Sequence, residues 1–195
     1  MKTEFDNREH NEKLMLALGF DADDLDANHN GYLTKKQRKV LNRIRRIWKI
    51  MVAMSILVAP IAIILAILDG YRIHDTASSR FGICILIIVV AGGYSYYAYT
   101  KIQKFNKDLY KGDVLGISGI VAKYYFVNRG EAAVQISGHT FRTLERQRFF
   151  EFTYGESYTI FYTPYSNYVL SAKLSNDHEA IPEIPKILKA NPPII

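Results

Sequence analysis

Two uncharged apolar runs constrain this chain more than any other feature. They cover residues 50–68 and 82–100, and neither contains Asp, Glu, Lys, Arg or His. At about 1.5 Å per helical residue, each run reaches about 28 Å, close to the hydrocarbon thickness of about 30 Å. We therefore predict two transmembrane helices. The lack of ionisable groups disfavours a proton relay or an ion pathway within this chain.

The charges flanking these runs predict their orientation. The formal net charge is only +6, yet residues 1–34 carry 8 acidic and 3 basic side chains, and residues 35–49 carry 8 basic and none acidic. Residues 101–111 add 4 basic side chains against 1 acidic. Lys and Arg accumulate in cytoplasmic flanks. We expect a multi-pass protein of the inner (plasma) membrane, with both termini cytoplasmic and the loop 69–81 exoplasmic.

After residue 112 the pattern changes to the period of two that is typical of strands. Turn residues such as Ser137-Gly138 separate the runs. The runs with strand character are 115–127, 132–136, 139–144, 157–163 and 168–174. The fold class predicted is an α+β membrane protein: a two-helix transmembrane hairpin followed by a small antiparallel β-barrel, SH3-like or OB-like.

These observations divide the chain into eight segments. They are an acidic N-terminal cytoplasmic segment (1–34), a basic amphipathic helix (35–49), transmembrane helix 1 (50–68), an exoplasmic loop (69–81), transmembrane helix 2 (82–100), a basic linker (101–111), a cytoplasmic β domain (112–175) and a Pro-rich tail (176–195).

Residues 26–37 resemble a degenerate EF-hand calcium loop. Its candidate metal ligands are Asp26, Asn28, Asn30, Tyr32, Thr34 and Gln37. The last position of such a loop normally holds a bidentate glutamate, and the neutral amide of Gln37 cannot replace it. The same residues fit a helix start, with Thr34 as the N-cap and Gln37 completing a capping box. We therefore expect this loop to start a helix, and we do not expect it to bind calcium.

The basic residues that follow are expected to meet anionic lipid headgroups. They are Lys35, Lys36, Arg38, Lys39, Arg43, Arg45, Arg46 and Lys49. A polybasic helix that enters a membrane is explained by attraction to lipid, about 1 kcal/mol per basic residue near the surface. Nucleic acid is not an expected partner. The helix either lies along the inner leaflet or runs straight into the first span.

Chemistry-bearing motifs are otherwise lacking in the sequence. The single cysteine, Cys84, lies in the second apolar run, and the five histidines show no metal-ligand spacing. His139, Glu145 and neighbouring arginines could be drawn as a site, but hairpin geometry would scatter them. We expect no catalytic residues, no cofactor and no enzymatic activity.

Two short elements bring a resemblance to a protein family. The first runs from Asn28 to Gln37 and reads Asn-x-x-Gly-x-Leu-Thr-x-x-Gln. The second runs from Tyr162 to Ala172 and includes Tyr162-Thr163-Pro164-Tyr165-Ser166 followed by Leu170-Ser171-Ala172. The chain thereby resembles a group of uncharacterised bacterial two-span membrane proteins with a small C-terminal β domain. The resemblance implies architecture and a prokaryotic inner membrane, and no mechanism.

The expected function is a membrane-anchored adaptor or accessory subunit that presents a small cytoplasmic β domain to a protein partner. Aromatic side chains in the β region could form the interaction patch. Small residues in the spans, such as Gly92 and Gly93, could serve packing within the hairpin or homo-oligomerisation. The alternative is a membrane-associated sensor or regulator that responds to calcium or anionic lipid through residues 26–49.

The predicted orientation can be tested by cysteine labelling. In a Cys84→Ser background, Ser79→Cys is expected to react with a membrane-impermeant maleimide in intact cells, because the 69–81 loop is predicted to face outward. Thr3→Cys should react only after the membrane is permeabilised. The opposite labelling pattern would reverse the topology.

Overall fold

The computed structural model describes residues 4–72, 77–126, 132–143 and 149–175, with side chains placed for 7–68, 82–122, 133–142 and 149–175. The four helices of this part are α1 (Glu4–Leu18), α2 (Ala22–His29), α3 (Lys35–Arg72) and α4 (Ala77–Lys111). The five strands are β1 (Leu115–Phe126), β2 (Ala132–Ile136), β3 (His139–Thr143), β4 (Ser157–Tyr162) and β5 (Val169–Leu174). The five strand predictions agree with these bounds to within one residue.

The described residues belong to two units. Arg38–Lys111 forms a helical unit, and the described residues of Met1–Gln37 and Gly112–Ile195 form an α/β unit. The prediction of two helices long and apolar enough to cross a membrane is confirmed. Their mean hydropathy reaches 2.9 in Lys35–Leu68 and 1.6 in Gly82–Lys111, and these apolar windows are 0% and 6% buried.

Both membrane helices extend beyond their apolar runs. The basic segment 35–49 is the first part of α3, so it runs straight into the span as one continuous helix. The segment 101–111, expected to be a linker, continues α4 to Lys111. Pro60 lies inside α3, where it removes one backbone donor.

Contacts along α3 and α4 pair these helices in antiparallel order. Ser55 Oγ and Ser95 Oγ lie 2.7 Å apart, and the rings of Trp48 and Tyr97 meet edge to face at 5.8 Å. Side-chain hydrogen bonds between polar groups persist in hydrocarbon because water does not compete there. Gly92 and Gly93 take no part in this pairing, since a Cβ on either would meet no atom within 4 Å.

The sheet is built around the long strand β1. Its first half pairs with β4 from Leu115 to Ile120, and its second half pairs with β2 from Val121 to Phe126. A register shift between Val121 and Lys123 separates the two halves, and such irregularities bend a strand. The strand order is β3-β2-β1-β4-β5, and all pairs are antiparallel.

The predicted β-barrel is wrong, because this sheet is open. β3 and β5 are the edge strands, and they do not pair in the described part of the chain. One of these edges is covered by α1, which lies in the segment that the sequence showed only to be acidic. Helix α1 packs against β5, and Asn11 Oδ1 accepts a hydrogen bond of 2.9 Å from the Leu174 N–H. The helix thus provides a hydrogen-bond acceptor for a backbone N–H of β5 that a neighbouring strand would otherwise accept from.

One hydrophobic core joins α1 to both halves of the sheet. Leu14, Leu18 and Phe20 from the N-terminal region share a cluster with buried side chains of all five strands. His10 Nε2 lies 2.9 Å from the Tyr158 hydroxyl, which also accepts from the Thr153 N–H. Burial raises the pKa of Tyr158 above its ordinary value because desolvation disfavours the phenolate.

The β2–β3 turn explains one glycine in β1. Ser137 and Gly138 both have positive φ, at 47° and 80°, as two-residue hairpins require. This turn directs Ser137 Oγ toward the Ser118 carbonyl, which accepts at 2.8 Å. A Cβ at Gly119 would overlap that Oγ, so a larger residue there would require Ser137 to rotate and lose its bond to Ser118.

The docking of α1 yields a paired stability test. Leu14 is 0% exposed and Leu16 is 84% exposed on the same helix. Leu14→Ala is expected to lower the free energy of unfolding by about 2–5 kcal/mol through lost burial and a cavity, whereas Leu16→Ala should change it by less than about 0.5 kcal/mol. Denaturant unfolding of the full chain in detergent micelles, followed by tyrosine near-UV circular dichroism, measures both. Equal effects of the two substitutions on the free energy of unfolding would mean that α1 does not pack against the core through Leu14.

Candidate functional site

The segment that resembles an EF-hand loop lies at the junction of α2 and α3. Asp26 and Asn28 are in the last turns of α2, Gly31 makes the turn with φ +84°, and Thr34 precedes α3. Between these helices the chain pairs briefly with the segment after α4. Leu33 N–H donates to the Gly112 carbonyl at 3.1 Å, and Tyr32 forms a β-bridge with Asp113.

Two reciprocal helix caps meet at this junction. In α2 the Asp21 carboxylate accepts from the Asp24 N–H at 2.9 Å, and Asp24 accepts from the Asp21 N–H at 3.3 Å. In α3 the predicted capping box is confirmed: Thr34 Oγ1 accepts from the Gln37 N–H at 3.1 Å, and Gln37 Oε1 accepts from the Thr34 N–H at 3.2 Å. Each cap satisfies first-turn amides that have no partner inside their helix.

The two caps are linked to each other by side chains. The Thr34 hydroxyl donates to Asp24 Oδ1. Lys36 Nζ lies 2.8 Å from Asp21 Oδ2 and 3.3 Å from Asp24 Oδ2. The hydrogen bond from Lys36 lowers the pKa of the Asp21 carboxyl and raises that of the Lys36 ammonium. We call Asp21, Asp24, Thr34, Lys36 and Gln37 the cap cluster.

Asn28 connects this junction to the last strand. Its Nδ2 donates to Ser171 Oγ at 2.7 Å, and both side chains are buried. The two sequence elements on which the family resemblance rests therefore touch. Asn28 Oδ1 and Gln37 Nε2 are buried without a hydrogen-bond partner among the described residues.

The six candidate metal ligands point to different partners. Asn28 bonds Ser171, Thr34 and Gln37 cap α3, and Asn30 Nδ2 donates to the Asp26 carbonyl at 2.9 Å. Asp26 and Tyr32 are exposed. Within the described ranges, no group of three His, Cys, Asp or Glu side chains is placed to hold a metal ion. Calcium binding was not expected from the sequence, and that expectation stays a prediction.

The eight predicted lipid-facing cations separate into different roles. Lys36 belongs to the cap cluster. Arg38 Nη1 donates to the Leu109 carbonyl at 3.0 Å, close to the C-terminal end of α4, where positive charge complements the helix dipole. Arg45 Nη1 donates to Asn106 Oδ1 at 3.0 Å. These two arginines therefore hold α3 to α4.

The remaining basic side chains are exposed. They are Lys35, Lys39, Arg43, Arg46 and Lys49. The last four border an open recess of about 580 Å³ on α3, together with Asn42 and Arg45. Sequence spacing alone did not separate these exposed cations from those that bind other parts of the protein.

Several aromatic residues considered for an interaction patch are in the core instead. Phe149 and Phe152 are buried and stack edge to face at 5.6 Å, while Phe150 is exposed. Tyr165 and Tyr168 are half-buried. The side chains of 124–126 lie outside the described residues.

Of the residues considered as a possible catalytic site, the structure describes the side chains of His139 and Arg142. The His139 ring contacts the rings of Phe141 and Tyr162 at tilted angles, with centroids at 4.6 and 5.1 Å, and Arg142 is exposed. Residues 144–148, which include Glu145, Arg146 and Arg148, are outside the described residues. His139 is thus an aromatic neighbour within the α/β unit.

Comparison with protein-family models, with curated proteins and with solved structures finds no match to this chain.

The cap cluster is testable at Thr34. Thr34→Ala is expected to lower the free energy of unfolding by about 1–2 kcal/mol, because the first turn of α3 loses its cap and Asp24 loses a hydroxyl donor. Thr34→Ser keeps the oxygen and should cost less than about 0.5 kcal/mol. Denaturant unfolding of the full chain in micelles compares them. If Ser is as damaging as Ala, the hydroxyl is not what stabilises the junction.

Proposed function

We propose that this protein is a non-enzymatic, membrane-anchored adaptor or accessory subunit. In this proposal the helical unit fixes the chain in the inner membrane with both termini cytoplasmic, and the α/β unit binds a protein partner. The observation that carries the proposal is the sheet edge β3, which has no second strand neighbour among the described residues. It belongs to a unit that has its own core and is tethered to two apolar helices.

The apolar helices support the anchoring half of the proposal. Large apolar side chains along both runs are exposed, for example Leu65 at 60% and Val89 at 63%. An exposed apolar surface of this length needs hydrocarbon or another apolar partner. The basic flanks of both helices favour the cytoplasmic orientation of the termini.

The β3 edge supports the partner-binding half. Among the described residues, β3 pairs with β2 alone, so one side of its backbone has no strand neighbour. Exposed sheet edges accept an added strand from a partner, with main-chain hydrogen bonds supplying affinity. Thr140 and Arg142 are exposed on one face of β3, while Phe141 anchors the other face in the core.

The charge of Arg142 also indicates which kind of partner strand fits β3. A charge on an edge strand discourages pairing between identical copies of that edge, because the like charges approach each other. A partner strand with an acidic side chain opposite Arg142 would instead gain a favourable cross-strand pair. A heterologous acidic segment therefore fits β3 better than a second copy does.

The sensor or regulator function is the second candidate. Its lipid branch is favoured by the exposed cations of α3 other than Lys36, since none of them has a hydrogen-bond or ion-pair partner among the described residues. Its calcium branch would have to draw on Thr34 and Gln37, whose side-chain oxygens are engaged in the cap of α3.

Photo-crosslinking tests the adaptor proposal. Benzoylphenylalanine placed at Thr140 in the full-length protein in cells is expected to capture a discrete protein other than this chain. The same group at Tyr154, a turn residue that is 72% exposed in the same unit, serves as the matched control and should capture much less.

The charge of the edge gives a second measurement. Arg142→Glu should reduce the Thr140 crosslink at least about fivefold, because it places repulsion opposite an acidic strand. Arg142→Lys should retain it. Equal capture from Thr140 and Tyr154, or products that contain only this chain, would contradict the adaptor proposal.

A further inference from the structure

Four exposed cations of α3 form a continuous stripe. Lys39, Arg43, Arg46 and Lys49 are spaced by four, three and three residues, which places them along one side of the helix. We call these residues the cationic stripe. They border the recess of about 580 Å³, and the neutral amide of Asn42 lies among them.

The charge of the stripe is not balanced within its own unit. Among the described side chains of 38–111, the one carboxyl group is that of Asp108, and it is buried. Like charges three and four residues apart on a helix repel each other. A bound anion would remove this repulsion, so the stripe is complementary to a ligand with several negative charges.

The length of the stripe indicates how that charge is arranged. Lys49 directly precedes the uncharged run 50–68 and therefore marks the hydrocarbon boundary. Since α3 is one continuous helix, Lys39 lies about 15 Å further along its axis. The headgroup layer on each side of a bilayer is only about 5–8 Å thick. A single phosphate at the glycerol level reaches Arg46 and Lys49, whereas Arg43, about 9 Å from Lys49 along the axis, needs an anionic group further out.

We propose that the cationic stripe binds a lipid headgroup that carries two phosphates in series, such as a diphosphate ester. The planar guanidinium groups of Arg43 and Arg46 match phosphate oxygens in pairs, and Lys49 adds a point charge at the end nearest the uncharged run. Basic sites at the cytoplasmic ends of membrane helices are a general means of binding phosphorylated lipids. This site goes beyond the adaptor function and does not depend on β3.

A pair of probes that differ by one phosphate tests the proposal. The full-length protein in neutral detergent micelles is titrated with farnesyl diphosphate and with farnesyl monophosphate, and bound lipid is counted by native mass spectrometry. The diphosphate should bind at least about 10-fold more tightly, because the second phosphate adds charge-assisted hydrogen bonds. Inorganic pyrophosphate, which lacks the lipid tail, should displace it only at much higher concentration.

Two double variants of equal charge change locate the site. Arg43→Gln with Arg46→Gln is expected to weaken diphosphate binding about 30-fold, from about 1 kcal/mol per basic residue. Lys35→Gln with Lys104→Gln removes two exposed cations outside the recess and should weaken it less than about threefold. Fluorescence of the single tryptophan, Trp48, which contacts Tyr97, verifies that each variant keeps its helix pair.

Three results would overturn the proposal. An equal loss of diphosphate affinity in both double variants would mean that the lipid is attracted by the overall positive charge and not by the cationic stripe. Equal affinity for the monophosphate and the diphosphate would mean that the stripe does not recognise the second phosphate. Displacement by pyrophosphate at the same concentration as the lipid diphosphate would assign the stripe to a soluble anion.

Discussion

The backbone of a chain that crosses hydrocarbon must satisfy its own hydrogen bonds, and this constraint shapes the rest of the protein. It makes 50–68 and 82–100 helical, and it explains why α3 and α4 are much longer than the other helices. Because α3 does not break at the hydrocarbon boundary, its basic first part is a direct extension of the span. In the proposed membrane orientation its cations therefore lie at different depths, with Lys49 next to the uncharged run and Lys39 about 15 Å further out along the helix axis.

The basic residues of α3 have different physical roles, although they are similar in charge. Lys36 neutralises two carboxylates of the cap cluster, Arg38 meets a carbonyl at the end of α4, and Arg45 binds Asn106. These contacts hold the start of α3 and pair the two membrane helices. The cationic stripe has a different relation to its surroundings, since no carboxyl group of its unit is exposed near it in the described residues. Which of these roles a basic residue has depends on the side of the helix from which its side chain projects.

The α/β unit reaches a stable core without closing its sheet. A five-stranded sheet with a bent central strand could close into a barrel if its edge strands met. Here α1 contributes Leu14, Leu18 and Phe20 to the core and satisfies an edge amide of β5 through Asn11. The helix thus replaces strand closure at one edge, and β3 is the other edge. The proposed adaptor function follows from this asymmetry.

The sequence alone determined the features that depend on local chemistry or on uninterrupted patterns. Apolar length predicted both membrane helices, period two and turn residues predicted all five strands, and Thr34 with Gln37 predicted the cap of α3. Only the tertiary structure decided the open sheet, because the role of α1 depends on a few apolar side chains within an acidic segment of weak periodicity. It also decided which cations are exposed, since Arg38, Arg45 and Lys36 find partners that are distant in sequence. Local patterns record what a segment prefers, whereas these outcomes depend on which distant segments pack together.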